Sequence, residues 1–158
     1  MEERLRVRRR LNLHAKHNPG VIVPRVTPPT IDVDDTILDS GASRPLLARK
    51  YVELFPQRIK ETSQVVDLIT AAGPETCNET ITYRNADAGE DVVALILPDK
   101  PSVLSLGMCI IDMGWHFEWP SYSFAPFAIK PHGTIVWLVV RDYVLYFRRS
   151  QDLSLIHI

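Results

Sequence analysis

Apolar and polar positions along the chain alternate in short runs rather than in the three-to-four spacing of amphipathic helices. Nine runs of three to seven residues are rich in Val, Ile, Thr and aromatic residues, and clusters of Gly, Pro, Asn and Asp separate them. These runs predict β-strands at Thr36–Leu38, Val65–Thr70, Thr80–Tyr83, Val92–Leu97, Val103–Leu106, Trp115–Trp119, Phe127–Ile129, Thr134–Val140 and Tyr143–Phe147. The pattern therefore predicts a mostly β fold.

Two other stretches predict short helices. Leu46–Phe55 would end at Pro56, and Met108–Met113 would end at Gly114. Residues 1–30 are basic and then Pro-rich, without an apolar period, so they are predicted to be a disordered linker. We expect one folded domain over residues 31–148, followed by a tail over residues 149–158.

The last six residues, Leu153–Ile158, read as the in-frame translation of the transposon mosaic end used in sequencing-library preparation. We expect this segment to be an adapter scar and the natural protein to continue past residue 152. A genuine apolar C-terminal strand is the alternative. Technical scars are left out of fold reasoning, so the segment is excluded from the predicted domain.

Composition changes this picture little. The chain has 158 residues, 46% of them hydrophobic and 23% charged, with a net charge of −1, as in an ordinary one-domain globular protein. The charge is uneven, because residues 1–25 carry a net charge of +5. Cys77 and Cys109 are too few for a disulfide framework and match no metal-ligand spacing. Apolar runs of six residues cannot cross a bilayer, so we expect a cytoplasmic protein without a membrane partner.

One motif carries specific chemistry. The apolar run Thr36–Leu38 leads into Asp39, Ser40, Gly41 and Ala42. An apolar strand that ends in Asp-Ser-Gly-Ala resembles the active-site loop of the retropepsin-type aspartic proteases. In such a loop the strand delivers a carboxylate to a tight turn, where glycine is expected to provide a backbone conformation closed to residues with a Cβ.

Three later segments extend the resemblance in the same order: Leu68–Gly73, Val92–Pro98 and Pro101–Gly107. Their order and spacing are similar to those of the protease segment in Copia-type retrotransposon Gag-Pol polyproteins. The similarity is firmest over residues 36–107 and extends more loosely over residues 31–148. It implies a retropepsin-like fold, a closed β-barrel-like subunit with one or two short helices.

The resemblance also implies residue roles. Asp39 would be the catalytic aspartate, the Ser40 hydroxyl would help to lock two active-site loops together, Gly41 would permit the turn, and Ala42 would line the substrate cleft. The flap tip and the strand behind the catalytic loop would be formed by Ala71, Ala72 and Gly73, and by Val103, Leu104 and Ser105, respectively. Pro74 departs from the expected pattern, because proline lacks a backbone donor where a flap would bond substrate.

A chain with one such aspartate supplies only half of the active site, because this chemistry needs two facing carboxylates. The resemblance therefore implies a homodimer in which two Asp39 carboxylates share a proton and activate one water molecule. No metal or organic cofactor is required. The expected substrate is an extended peptide, most simply a site in the element's own polyprotein.

A competing motif lies seven residues upstream. Asp32, Asp34 and Thr36 match the Asp-x-Asp-x-Thr signature of haloacid-dehalogenase-type phosphatases, in which Asp32 would be the nucleophile and Asp34 the general acid beside Mg²⁺. That reading needs a buried parallel strand before Asp32, and the preceding Pro28 and Pro29 disfavour one. The favoured interpretation is a solvated acidic turn.

The basic N-terminal segment suggests a function of another class. Contacts to RNA phosphates without sequence recognition could be made by Arg4, Arg6, Arg8, Arg9 and Arg10. A solvated charged linker is the alternative and the favoured interpretation. A catalytically dead retroelement relic with an RNA-binding arm is therefore the second hypothesis for the whole chain, after the active protease.

Overall fold

The computed structural model describes residues 26–70, 72–99 and 101–149. This part of the chain contains eleven β-strands, one α-helix and two one-turn 3-10 helices, at Arg49–Tyr51 and Pro56–Arg58. In chain order the strands and the helix are β1 (Thr30–Ile31), β2 (Ile37–Asp39), β3 (Leu46–Ala48), β4 (Lys60–Thr70), β5 (Gly73–Asn85), β6 (Glu90–Leu97), β7 (Val103–Ser105), α1 (Leu106–Ile111), β8 (His116–Glu118), β9 (Phe127–Ile129), β10 (Ile135–Arg141) and β11 (Val144–Phe147). The predicted mostly β class is confirmed.

The strands form one mixed sheet in the order β1-β5-β6-β3-β7-β2-β11-β10-β9-β8, and β4 pairs with β5 outside this path. The expectation of a closed, barrel-like subunit is wrong, because no described pairing joins the two ends of the path. The C-terminal hairpin β10–β11 pairs with β2 and extends the sheet on that side instead of closing it.

A strand lies at each of the nine predicted positions, and two further strands, β1 and β3, were not predicted. The predicted helix over Leu46–Phe55 is wrong except for the single 3-10 turn at Arg49–Tyr51. Its first residues form β3, which pairs with both β6 and β7 and buries Leu47 and Ala48. Pro56 begins the second 3-10 helix instead of ending a longer one. Tertiary pairing has thus overridden a weak local helical pattern.

Helix α1 begins two residues before the predicted Met108–Met113, because Ser105 caps it. The Ser105 Oγ accepts a hydrogen bond from the Met108 backbone N–H at 3.2 Å. The helix ends at Ile111, two residues before the predicted Met113, and the predicted stop residue Gly114 has a left-handed φ of +74°. The cap places the start of α1 directly after β7.

The main hydrophobic core lies on one side of the sheet, where buried side chains from most of the strands meet α1. Its most buried members include Leu38, Leu47, Ile81, Tyr83 and Leu104. A second, smaller cluster lies on the other face of β6 and contains Cys77, Leu95 and Leu97, with Leu46, Val66 and Leu68 packed against it. Both faces of the C-terminal half of β6 are therefore covered.

The predicted N-terminal linker and C-terminal tail fall mostly outside the described residues, namely 1–25 and 150–158. Within the described part, the Arg84 N–H donates to the Pro29 carbonyl at 2.8 Å and Thr30 pairs with Arg84, so regular structure begins inside the segment that was predicted to be a linker. No helix among the described residues is long and apolar enough to cross a membrane.

Candidate functional site

Asp39 is the last residue of the three-residue strand β2, which lies between β7 and β11. β2 runs parallel to β7, with Leu38 opposite Leu104 and Asp39 opposite Ser105. On its other edge, Ile37 pairs with Tyr146 of β11. Asp39 therefore stands where an interior strand leaves the sheet, and its backbone is held by a neighbour on at least one side.

The loop after β2 is closed by the Asp39 side chain itself. The Gly41 backbone N–H donates to Asp39 Oδ1 at 2.7 Å, which is an Asx-type turn. A Cβ at Gly41 would lie 3.3 Å from the same oxygen, so glycine lets the carboxylate approach the backbone closely. The prediction that Gly41 provides a backbone conformation closed to residues with a Cβ is wrong, because Gly41 has no left-handed φ.

Asp39, Ser40 and Gly41 are exposed, and Ala42 is half-buried. Asp39 does not line the three best-formed clefts among the described residues, which have volumes of about 300 to 470 Å³. Within one chain, the carboxylate is thus presented on the surface rather than inside a cleft. Such an arrangement can form an enclosed site only when a second surface covers it.

The strand beside β2 is apolar and buried. Val103, Leu104 and Ser105 of β7 pair residue by residue with β2, and all three are buried. Ser105 is polar, but its hydroxyl oxygen is used as the cap of α1. β7 therefore supports the strand that carries Asp39 and connects it to the helix.

In the hairpin of β4 and β5, the first strand ends at Thr70 and the second begins at Gly73. Ala71 lies outside the described residues, Ala72 is exposed, and Gly73 has a φ of +115°. The Thr70 hydroxyl donates to the Gly73 carbonyl at 2.9 Å and accepts from the Ala72 N–H at 3.3 Å, which orders the turn. Pro74 pairs with Ile69, so proline is accommodated within the hairpin.

The base of this hairpin is irregular, a feature that sequence patterns did not reveal. The pairing shifts register between Glu61 and Val66 of β4. The Thr62 hydroxyl lies 3.2 Å from the Asn78 carbonyl across this bulge, and an ion pair joins Arg49 to Glu79 beside it. The distal part of the hairpin is thus joined to its base through a bulge, which bends and twists a strand.

The acidic residues of the competing phosphatase motif are held by one arginine. Arg149 Nη2 lies 2.6 Å from Asp32 Oδ1, and Arg149 Nη1 lies 3.3 Å from Asp34 Oδ1. β1, which precedes Asp32, has two residues and lies at the edge of the sheet. The geometry does not supply the central strand that phosphatase chemistry needs. Among the residues that the structure describes, no group of three or more His, Cys, Asp or Glu could hold a metal ion.

Arg149 also binds Asp87, in the turn between β5 and β6, with Nη2 2.9 Å from Oδ2. Burial raises the pKa of Asp87, and the hydrogen bond from Arg149 offsets only part of that effect. The folded state therefore favours protonated Asp87. The stability that the folded state gains by holding Asp87 protonated is fully present below the pKa of an unfolded aspartate. It is lost as the pH rises through the pKa of Asp87 in the folded state.

Asp87→Asn is expected to stabilise the domain at pH 7 relative to wild type, because asparagine has no ionised form to bury and can still accept from Arg149. The stability difference should shrink as the pH falls to about 3, where Asp87 is protonated in the wild type. Urea unfolding at several pH values measures this. Asp142→Asn, in an exposed turn, is the control, and a stability gain that grows toward acid would contradict the prediction.

Both cysteines are free and buried. Burial raises the pKa of Cys109 to about 11, so its thiol stays protonated at neutral pH. A buried, protonated thiol is a poor nucleophile, and the candidate chemistry therefore stays with the exposed carboxylate of Asp39.

No protein-family model and no curated protein matches the chain. The motif and the geometry around Asp39 are therefore the features that bear on the functional class.

Proposed function

We propose that two copies of this chain form an aspartic endopeptidase in which the two Asp39 carboxylates activate water. The observation that carries the proposal is the exposed Asp39, held by the Gly41 amide at the end of β2 and supported by β7. A carboxylate presented in this way on a rigid strand suits a site that two surfaces complete.

Two facing carboxylates cannot both ionise, so the pair would share one proton. The ionised carboxylate would take a proton from water as the water attacks the peptide carbonyl carbon. The protonated carboxylate would polarise the carbonyl oxygen, and the pair would later protonate the leaving amine. Chemistry of this kind is complete without a metal or an organic cofactor.

The β4–β5 hairpin supports an extended peptide as the substrate. It is long and ends in small residues, and Ile69 near its tip is 95% exposed. A mobile hairpin end can close over a bound chain, and an extended peptide can add to exposed strand edges through backbone hydrogen bonds. Together with the resemblance to Copia-type polyproteins, this favours a site in the element's own polyprotein as the natural substrate.

The test is cleavage of a peptide panel by the full chain at mildly acidic pH, followed over a range of chain concentrations. At low concentration the rate is expected to rise with the square of the chain concentration, because two copies form one site. EDTA should leave the rate unchanged. A rate that is linear in concentration down to the lowest measurable level would contradict the shared site.

The other hypotheses give different results in the same experiment. A folded dimer that cleaves no peptide but retains RNA in a salt-sensitive way would indicate an inactive relic with a basic arm. Mg²⁺-dependent hydrolysis of a phosphate ester, lost in Asp32→Asn, would indicate the phosphatase. Either result would overturn the proposed endopeptidase.

A further inference from the structure

We propose that Arg149 is a positioning residue for Asp39, acting through the acidic segment Asp32–Asp35 that leads into β2. The inference rests on the proposed function, because it assigns a role toward the same carboxylate. The sequence pattern placed residue 149 in the tail, whereas its side chain is only 18% exposed in the structure.

Arg149 binds the acidic segment through several hydrogen bonds. Its guanidinium binds the Asp32 and Asp34 carboxylates and the Val33 carbonyl, and it also binds Asp87. Burial by itself would lower the pKa of Arg149, but the hydrogen bonds to Asp32 and Asp87 outweigh it and raise that pKa. The guanidinium therefore stays charged, and its planar donor fork can bind several acceptors in fixed directions.

The acidic segment has two further anchors. Arg141 Nη2 lies 2.9 Å from Asp35 Oδ1, and the Asp34 N–H donates to the Tyr51 hydroxyl at 3.1 Å. Both arginines come from the C-terminal hairpin or from its end. The start of the segment that carries Asp39 is thus held by residues more than one hundred positions later in the chain.

The anchors lie close to the catalytic residue along the chain. Asp35 is four residues before Asp39, or ~13 Å of extended strand. β2 contributes three residues to the sheet, and all three pair with β7, whereas only Ile37 pairs with β11. One pair therefore holds this short strand on its β11 side, and the anchors of the acidic segment hold the chain that enters it. β11 pairs with β2 through Tyr146, and Arg149 follows two residues after the end of β11. One stretch of the C-terminal region therefore holds both the side of β2 and the acidic segment that precedes it.

The experiment compares Arg149→Ala with Arg148→Ala in the full chain. Arg148 is the control because it is the neighbouring arginine and stacks over Trp137 instead of binding the acidic segment. Amide hydrogen exchange is read at Ile37, Leu38 and Asp39, and at Ile81 in β5 and Ala128 in β9 as distant reporters. Arg149→Ala is expected to accelerate exchange about tenfold or more in β2 with little change at the reporters. Arg148→Ala should leave β2 within about twofold of wild type.

Activity gives a second readout. Arg149→Ala should lower kcat by about tenfold or more with a smaller change in KM, because the reacting group and not the peptide-binding surface is displaced. Arg149→Lys should restore part of the loss, since an ammonium keeps the charge without the fork. Should Arg149→Ala not fold, the double variant Asp32→Ala, Asp34→Ala removes the two carboxylates of the acidic segment that bind Arg149 and is expected to accelerate β2 exchange.

The two proposals fail in different ways. If the wild type cleaves no peptide, the endopeptidase fails, while the exchange measurement still decides whether Arg149 holds β2. If the folded Arg149 variant exchanges at wild-type rates in β2, the positioning role is overturned, whether or not the protein is a protease. Equal acceleration in β2 and at the distant reporters would also overturn it, because it would show a general loss of stability.

Discussion

Asp39→Asn is expected to lower kcat/KM for peptide cleavage by about 10³-fold or more while leaving the fold and the proposed dimer unchanged. An asparagine amide cannot take a proton from water or return one to the leaving amine. It can still accept the Gly41 N–H through its side-chain oxygen, so the turn after β2 should persist. Steady-state cleavage and circular dichroism of the same samples measure the two effects.

The matched control for this variant is Asp142→Asn, since Asp142 is an exposed aspartate in the turn between β10 and β11. It has a φ of +49°, a conformation that asparagine tolerates, so its activity should equal that of wild type. Adding excess Asp39→Asn chain to wild type should also reduce activity, because mixed dimers hold one working carboxylate. Cleavage that survives Asp39→Asn would exclude Asp39 as the catalytic residue.

Leu104→Ala is expected to lower the free energy of unfolding by about 3 kcal/mol, the largest stability effect among the substitutions considered. Leu104 is 1% exposed, and it pairs with Leu38 directly before Asp39. Its removal takes apolar contact from the core and leaves a cavity that the two interior strands cannot fill. Since domains are stable by roughly 5–15 kcal/mol, this loss is a large share of the total.

Urea unfolding followed by tryptophan fluorescence measures the loss, because Trp115 is buried in the same core. Leu54→Ala is the control: Leu54 is 82% exposed, so the change should stay within about 0.5 kcal/mol. A Leu104→Ala variant as stable as the Leu54→Ala variant would contradict the description of β7 as the buried support of β2.

Strand positions were largely predictable from local pattern. Each predicted strand has a counterpart, because alternation, β-branched residues and turn residues all act over a few neighbouring positions. β3 was not predictable in this way. Leu46–Ala48 is a short apolar piece with no turn signal after it, and only its contacts with β6 and β7 make it a strand. Local propensity is too weak to decide such a segment.

The candidate site was predictable only in part. The motif at Asp39 identified a carboxylate at the end of a strand, and the structure places it there. The reason for Gly41 was not predictable, because it is the distance to Asp39 Oδ1 and not a backbone angle that requires a small residue. The bulge in β4 was also missed, since register depends on the partner strand.

The sequence by itself determined the β-rich class, the positions of nine of the eleven described strands and the residue that presents a carboxylate, because all of these follow from spacing over a few residues. Only the tertiary structure decided the open sheet order, the pairing of β2 with β11, and the position of Arg149 among Asp32, Asp34 and Asp87. Those contacts join residues far apart in the chain. Their formation depends on which strands become neighbours as the common core is buried, and no local pattern encodes that choice.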